Sequence, residues 1–95
     1  MQTLQGRVLS ILKLKPAIES QAQVSLWRLR VSYLGPQTLY EMELREPLRS
    51  IVSKKCAIGL NGLVEFEMLA MPDVAAGDSI LIDAYEPGEK ILGLG

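Results

Sequence analysis

The sequence predicts a small, mainly β domain: one five- or six-stranded barrel or sandwich spanning residues 1–95. Three observations predict it. In residues 23–33 apolar Trp27, Leu29, Val31 and Tyr33 alternate with Arg28, Arg30 and Ser32, and the same period of two recurs in residues 38–46, 63–71 and 79–86. Turn pairs stand between the runs at fairly even spacing: Gly35-Pro36, Asn61-Gly62, Gly77-Asp78 and Pro87-Gly88. A chain of 95 residues, 48% apolar and 22% charged, has the size and composition of one globular domain.

Residues 6–15 read as the first strand. Val8, Leu12 and Leu14 share one parity and Leu9 and Ile11 the other, so both faces are apolar until Lys13 and Lys15, as in a sheet that curls over itself. Pro16 ends the strand, and residues 17–22 form a polar loop. Residues 23–33 and 38–46 then read as a hairpin around Gly35-Pro36. In the register that sets Trp27 opposite Leu44 and Val31 opposite Tyr40, Arg28 meets Glu43 and Arg30 meets Glu41. The next allowed register sets Arg28 against Arg45, which like-charge repulsion disfavours.

Residues 47–60 fit two readings. Pro47 at a first helical position, with Leu48, Ile51, Val52 and Cys56 on one face, predicts a short helix around residues 47–55. Cys56–Leu60 running into Asn61-Gly62 and a further apolar run predicts a hairpin. A short helix followed by a brief strand satisfies both. In residues 63–71, Val64, Phe66, Met68 and Ala70 point one way. In residues 79–86, Ile80, Ile82 and Ala84 do. Glu86-Pro87-Gly88-Glu89 fits a type II turn, after which residues 90–94 return as a weak edge strand.

Composition excludes more functions than it supports. The chain has no histidine, which removes the commonest general base and metal ligand together with histidine-based nucleophilic triads. Cys56 is the only cysteine and reads as a small buried apolar residue. Glu41 with Glu43, and Glu65 with Glu67, are spaced as same-face carboxylate pairs, but solvated outer positions account for them. We therefore expect no enzyme, no cofactor and no metal. The start Met1-Gln2-Thr3 lacks a signal-peptide pattern, and no apolar run nears the ~20 residues of a membrane-spanning helix. The expectation is a cytoplasmic protein without a membrane partner.

Charge is divided along the chain. Residues 1–55 carry nine basic and four acidic residues, and residues 56–95 carry one basic and seven acidic ones. Two functions follow as expectations. The first is a protein-interaction or self-assembly module, a homo-oligomer or the binder of a protein partner, with Leu69, Leu81 and Tyr85 as an apolar outer patch. The alternative is single-stranded nucleic-acid binding. Three strands, a helix-like connection and further strands fit an OB-like or SH3-like barrel, and OB-like barrels hold single strands with basic and aromatic side chains. Lys13, Lys15, Arg49, Lys54 and Lys55 are the candidate contacts for nucleic acid or another anionic partner.

Overall fold

A computed structural model describes residues 1–14, 26–35, 37–54 and 56–89. These described residues form six strands, β1 (Gln2–Leu14), β2 (Leu26–Tyr33), β3 (Tyr40–Leu44), β4 (Ala57–Gly59), β5 (Leu63–Met68) and β6 (Ser79–Tyr85), with one 3-10 turn at Leu48–Ile51. The strands form a single antiparallel sheet in the order β4-β3-β6-β1-β2-β5. The sheet curls until its outer strands approach each other, giving a nearly closed barrel. Leu60 and Leu63 bond each other's backbone across the gap, at 3.0 and 3.2 Å. Further along, Leu69 N–H donates to Ile51 O and Ser53 N–H to Glu67 O, so the segment around the end of the 3-10 turn covers the β5 edge at Glu67 and Leu69.

The expected inward positions fill this barrel. Leu29, Val31 and Tyr33 from β2, Tyr40, Met42 and Leu44 from β3, Val64, Phe66 and Met68 from β5, and Ile80, Ile82 and Ala84 from β6 are all buried. The Val, Leu, Ile, Met and Phe side chains among them each contribute roughly 1.5–3 kcal/mol when fully buried. Trp27 lies at the margin, half-buried against the core. Ala70, beyond the end of β5, is exposed. Gly6 lies on the inner face of β1, where a Cβ would stand 2.6 Å from Val31 Cγ1 and 2.7 Å from Ile82 Cδ1. Only glycine lets β1 pass this close to its neighbours.

The structure corrects the expected pairing of β2. It does not form a hairpin with β3 but lies between β1 and β5. Arg28 sits opposite Glu67 and Arg30 opposite Glu65, while Glu41 and Glu43 face β6 at Tyr85 and Asp83. The reason is that β5 offers the same alternation as β3, two glutamates between apolar residues, and also supplies Val64, Phe66 and Met68 opposite Val31, Leu29 and Trp27. Glu43, expected on a solvated face, is buried at 1% exposure. The expected helix is a 3-10 turn of four residues. The first strand begins at Gln2, where pairing with β6 holds it, and not at Gly6. The proposed edge strand at 90–94 lies outside the described residues.

Candidate functional site: an apolar patch across the barrel seam

The β4–β5 connection is a tight turn with Asn61 at φ 55° and Gly62 at φ 80°. These are the two positive φ values of a type I′ hairpin, which Asn-Gly adopts readily. The turn directs Leu60 and Leu63 outward as a facing pair. Continuing the β3–β4 register by one step brings Leu39 beside Leu60, and Ile58 sits opposite Glu41 on the same outer face. Ile58, Leu60, Leu63 and Leu39 are 54%, 45%, 42% and 41% exposed. Four large apolar side chains therefore adjoin across the seam where the barrel closes. One flank is a shallow open depression lined by Ile58, Leu63, Val64, Arg30 and Glu65. Arg30 Nε stands 3.8 Å from Glu65 Oε2, so this rim is polar but charge-balanced.

A polar cluster occupies the outer wall where β3, β6 and the start of β1 adjoin. Glu43 and Asp83 are cross-strand partners, and each has an arginine: Arg49 Nη2 is 3.4 Å from Glu43 Oε2, and Arg45 Nε is 3.2 Å from Asp83 Oδ1. Arg45 Nη2 also donates to Thr3 Oγ1 at 3.0 Å, and Thr3 donates to Asp83 at 3.3 Å. Two carboxylates side by side at such a sheet position repel unless cations separate them, and the two guanidiniums supply that compensation. Nearer the patch, the Cys56 Sγ lies 3.9 Å from Glu41 Oε2. Burial first, then the charge of Glu41, pushes the Cys56 thiol above its usual range, so it is a protonated thiol and a poor nucleophile at neutral pH.

The sequence-predicted basic cluster does not assemble as one site among the described residues. Lys13 faces Trp27 across β1–β2, with its Nζ 6.0 Å from the indole centroid. Arg49 is committed to Glu43. Lys54 is exposed beyond the seam segment. Val52, Met68, Trp27 and Lys13 lie on successive strands, so Lys13 and the start of the Ser53-Lys54 segment are about 14 Å apart at ordinary strand spacing. Lys15 and Lys55 lie outside the described residues. Arg28 and Arg30 are held near Glu65 and Glu67 at 3.7–3.9 Å.

Leu69, Leu81 and Tyr85 do not form one patch either. Leu69 directly follows β5, while Leu81 and Tyr85 point outward from β6 with Asp83 between them. In sheet order β2 and β1 separate β5 from β6. The residues that do adjoin, Leu39, Ile58, Leu60 and Leu63, escaped sequence reasoning, although one signal was present. Leu60 and Leu63 flank Asn61-Gly62, and a two-residue turn forces its flanking residues onto one face. Compared with known proteins, the chain matches no family model, no curated protein and no solved structure.

Proposed function

We propose that this chain is a non-enzymatic protein-interaction module that docks an apolar segment of a partner protein on the seam patch. The observation that carries the reading is the contiguity of Leu39, Ile58, Leu60 and Leu63 over adjoining strands. Single exposed leucines are ordinary on a soluble surface, whereas adjoining ones with a polar rim have the anatomy of an interface. The ion-paired Arg30 and Glu65 at the rim favour register and selectivity over raw affinity. Single-strand binding has less support, because Arg28 and Arg30 already have carboxylate neighbours and Trp27 is turned toward the core.

A photoreactive residue placed at position 58 or 63 in the cell of origin tests this reading. Discrete protein adducts are expected from both positions, lost when Leu60→Asp is added, and absent when the probe sits at the equally exposed Leu81. No adduct from 58 and 63, or the same adducts from 81, would sink the reading. So would salt-sensitive micromolar binding of a fluorescent single strand that survives Leu60→Asp.

A further inference from the structure

The seam closes one side of the barrel, but β1 has a second edge. Beyond Val8 it pairs with β2 alone; among the described residues no strand lies on its other side from Ser10 to Leu14. The hydrogen-bond phase of this stretch follows from its neighbours. Val8 N–H donates to Asp78 O at 2.9 Å and Val8 O accepts from Gly77 N–H at 2.8 Å, so Val8 turns both groups away from β2. Tyr33 N–H donates to Gly62 O, which sets Tyr33, Val31, Leu29 and Trp27 to bond toward β5. Ile11 and Lys13 lie opposite Leu29 and Trp27. They therefore direct their N–H and C=O groups to the open side: two donors and two acceptors, spaced two residues apart.

We infer that this edge pairs with the same edge of a second copy of the chain, antiparallel about a two-fold axis at Leu12. In that register Ile11 of each copy exchanges both bonds with Lys13 of the other, and all four open groups on each edge are satisfied. Leu12, 53% exposed on the outer face, meets Leu12 of the second copy at the closely spaced non-bonded position. The charge pattern selects this register. Centring the pair on Lys13 sets two ammonium groups directly opposite, and centring it on Ile11 uses only half of the open groups. The Lys13 side chain lies over the Trp27 ring, so it does not stand as a barrier along the edge. Such self-complementarity is what a two-fold interface requires, since one patch must be its own partner. This edge is distinct from the seam patch, so the inference stands or falls separately from the proposed function.

Leu12→Cys in a Cys56→Ser background tests the geometry. At the non-bonded antiparallel position the Cα separation, roughly 4.5 Å, lies within disulfide range. Rapid formation of a disulfide-linked dimer under mild oxidant is expected, with Leu81→Cys in the same background much slower. Sedimentation tests the energetics. Lys13→Pro removes an N–H that points to the open side and leaves the β2 ladder intact, and Leu12→Lys sets like charges on the axis. Each is expected to weaken dimerisation roughly tenfold or more, with circular dichroism unchanged. A wild-type monomer at high micromolar concentration would overturn the inference. So would equal cross-linking at positions 12 and 81, or a dimer lost with Ile58→Asp but kept with Leu12→Lys.

Discussion

Val8 and Ile11 both face the interior of the barrel although they stand three residues apart on one strand. Val8 lies opposite buried Val31 and Ile11 opposite buried Leu29, and the pairing skips Leu9 between them. This bulge is how β1 keeps an apolar inner face on both sides of the parity change, and it adds the local twist that a curling sheet needs. It also makes deletions in β1 unequal. Removing Leu9 restores simple alternation and leaves Val8 and Ile11 inward. That variant is expected to fold with a loss within about 1–2 kcal/mol. Removing Gln5 swings Leu4, 6% exposed, out of the core and is expected to cost about 3 kcal/mol or more. Urea denaturation of the two deletions checks the order.

Among the described residues, Gly6 and Gly59 face the interior, and adding a methyl group to each has different consequences. At Gly6 a new Cβ meets the β-branched Val31 and Ile82, both wedged between neighbouring strands. At Gly59 it meets the thioether end of Met42, which can turn aside. Gly6→Ala is expected to destabilise by about 1–3 kcal/mol and Gly59→Ala by less, as measured by thermal unfolding.

Much of this fold was legible in the sequence, and the failure at β2 shows where legibility ended. Alternation identifies which side chains point inward, because it is a local property of a strand. It does not identify the neighbour, because pairing compares distant strands. Arg28 and Arg30 find two acidic partners with matching spacing, Glu41 with Glu43 and Glu65 with Glu67, and nothing local separates them. The same limit hid the candidate site. Leu60 and Leu63 are joined by their own turn, but Leu39 is distant in the chain and only the β3–β4 pairing brings it beside Leu60.

The corrected register makes its own prediction. In double-mutant cycles on stability, Arg28 is expected to couple to Glu67 by about 0.2–1 kcal/mol, the range of exposed cross-strand pairs. It is expected to show no coupling to Glu43, whose neighbour is Arg49 across 3.4 Å. Coupling of Arg28 to Glu43 would restore the β2–β3 hairpin.

Cys56 offers a pH-dependent readout at the edge of the seam patch. Its thiol is raised from an ordinary value of 9.0, first by burial and then by the charge of Glu41. The folded chain therefore holds this proton more tightly than the unfolded chain. The stability linked to it is complete below pH 9 and is lost as pH rises from 9 through the folded value. At pH 8 alkylation of Cys56 by iodoacetamide is expected to be slower than that of the same thiol in urea, because the thiolate fraction is smaller and access is poorer. Glu41→Gln removes the opposing charge and is expected to lower the thiol toward 9 and raise the alkylation rate at pH 8. Tyr33, raised from 10.0 chiefly by burial, titrates in the next window up. Repeating the stability series in Tyr33→Phe isolates the thiol. An alkylation rate that Glu41→Gln leaves unchanged would show that Glu41 does not act on the thiol.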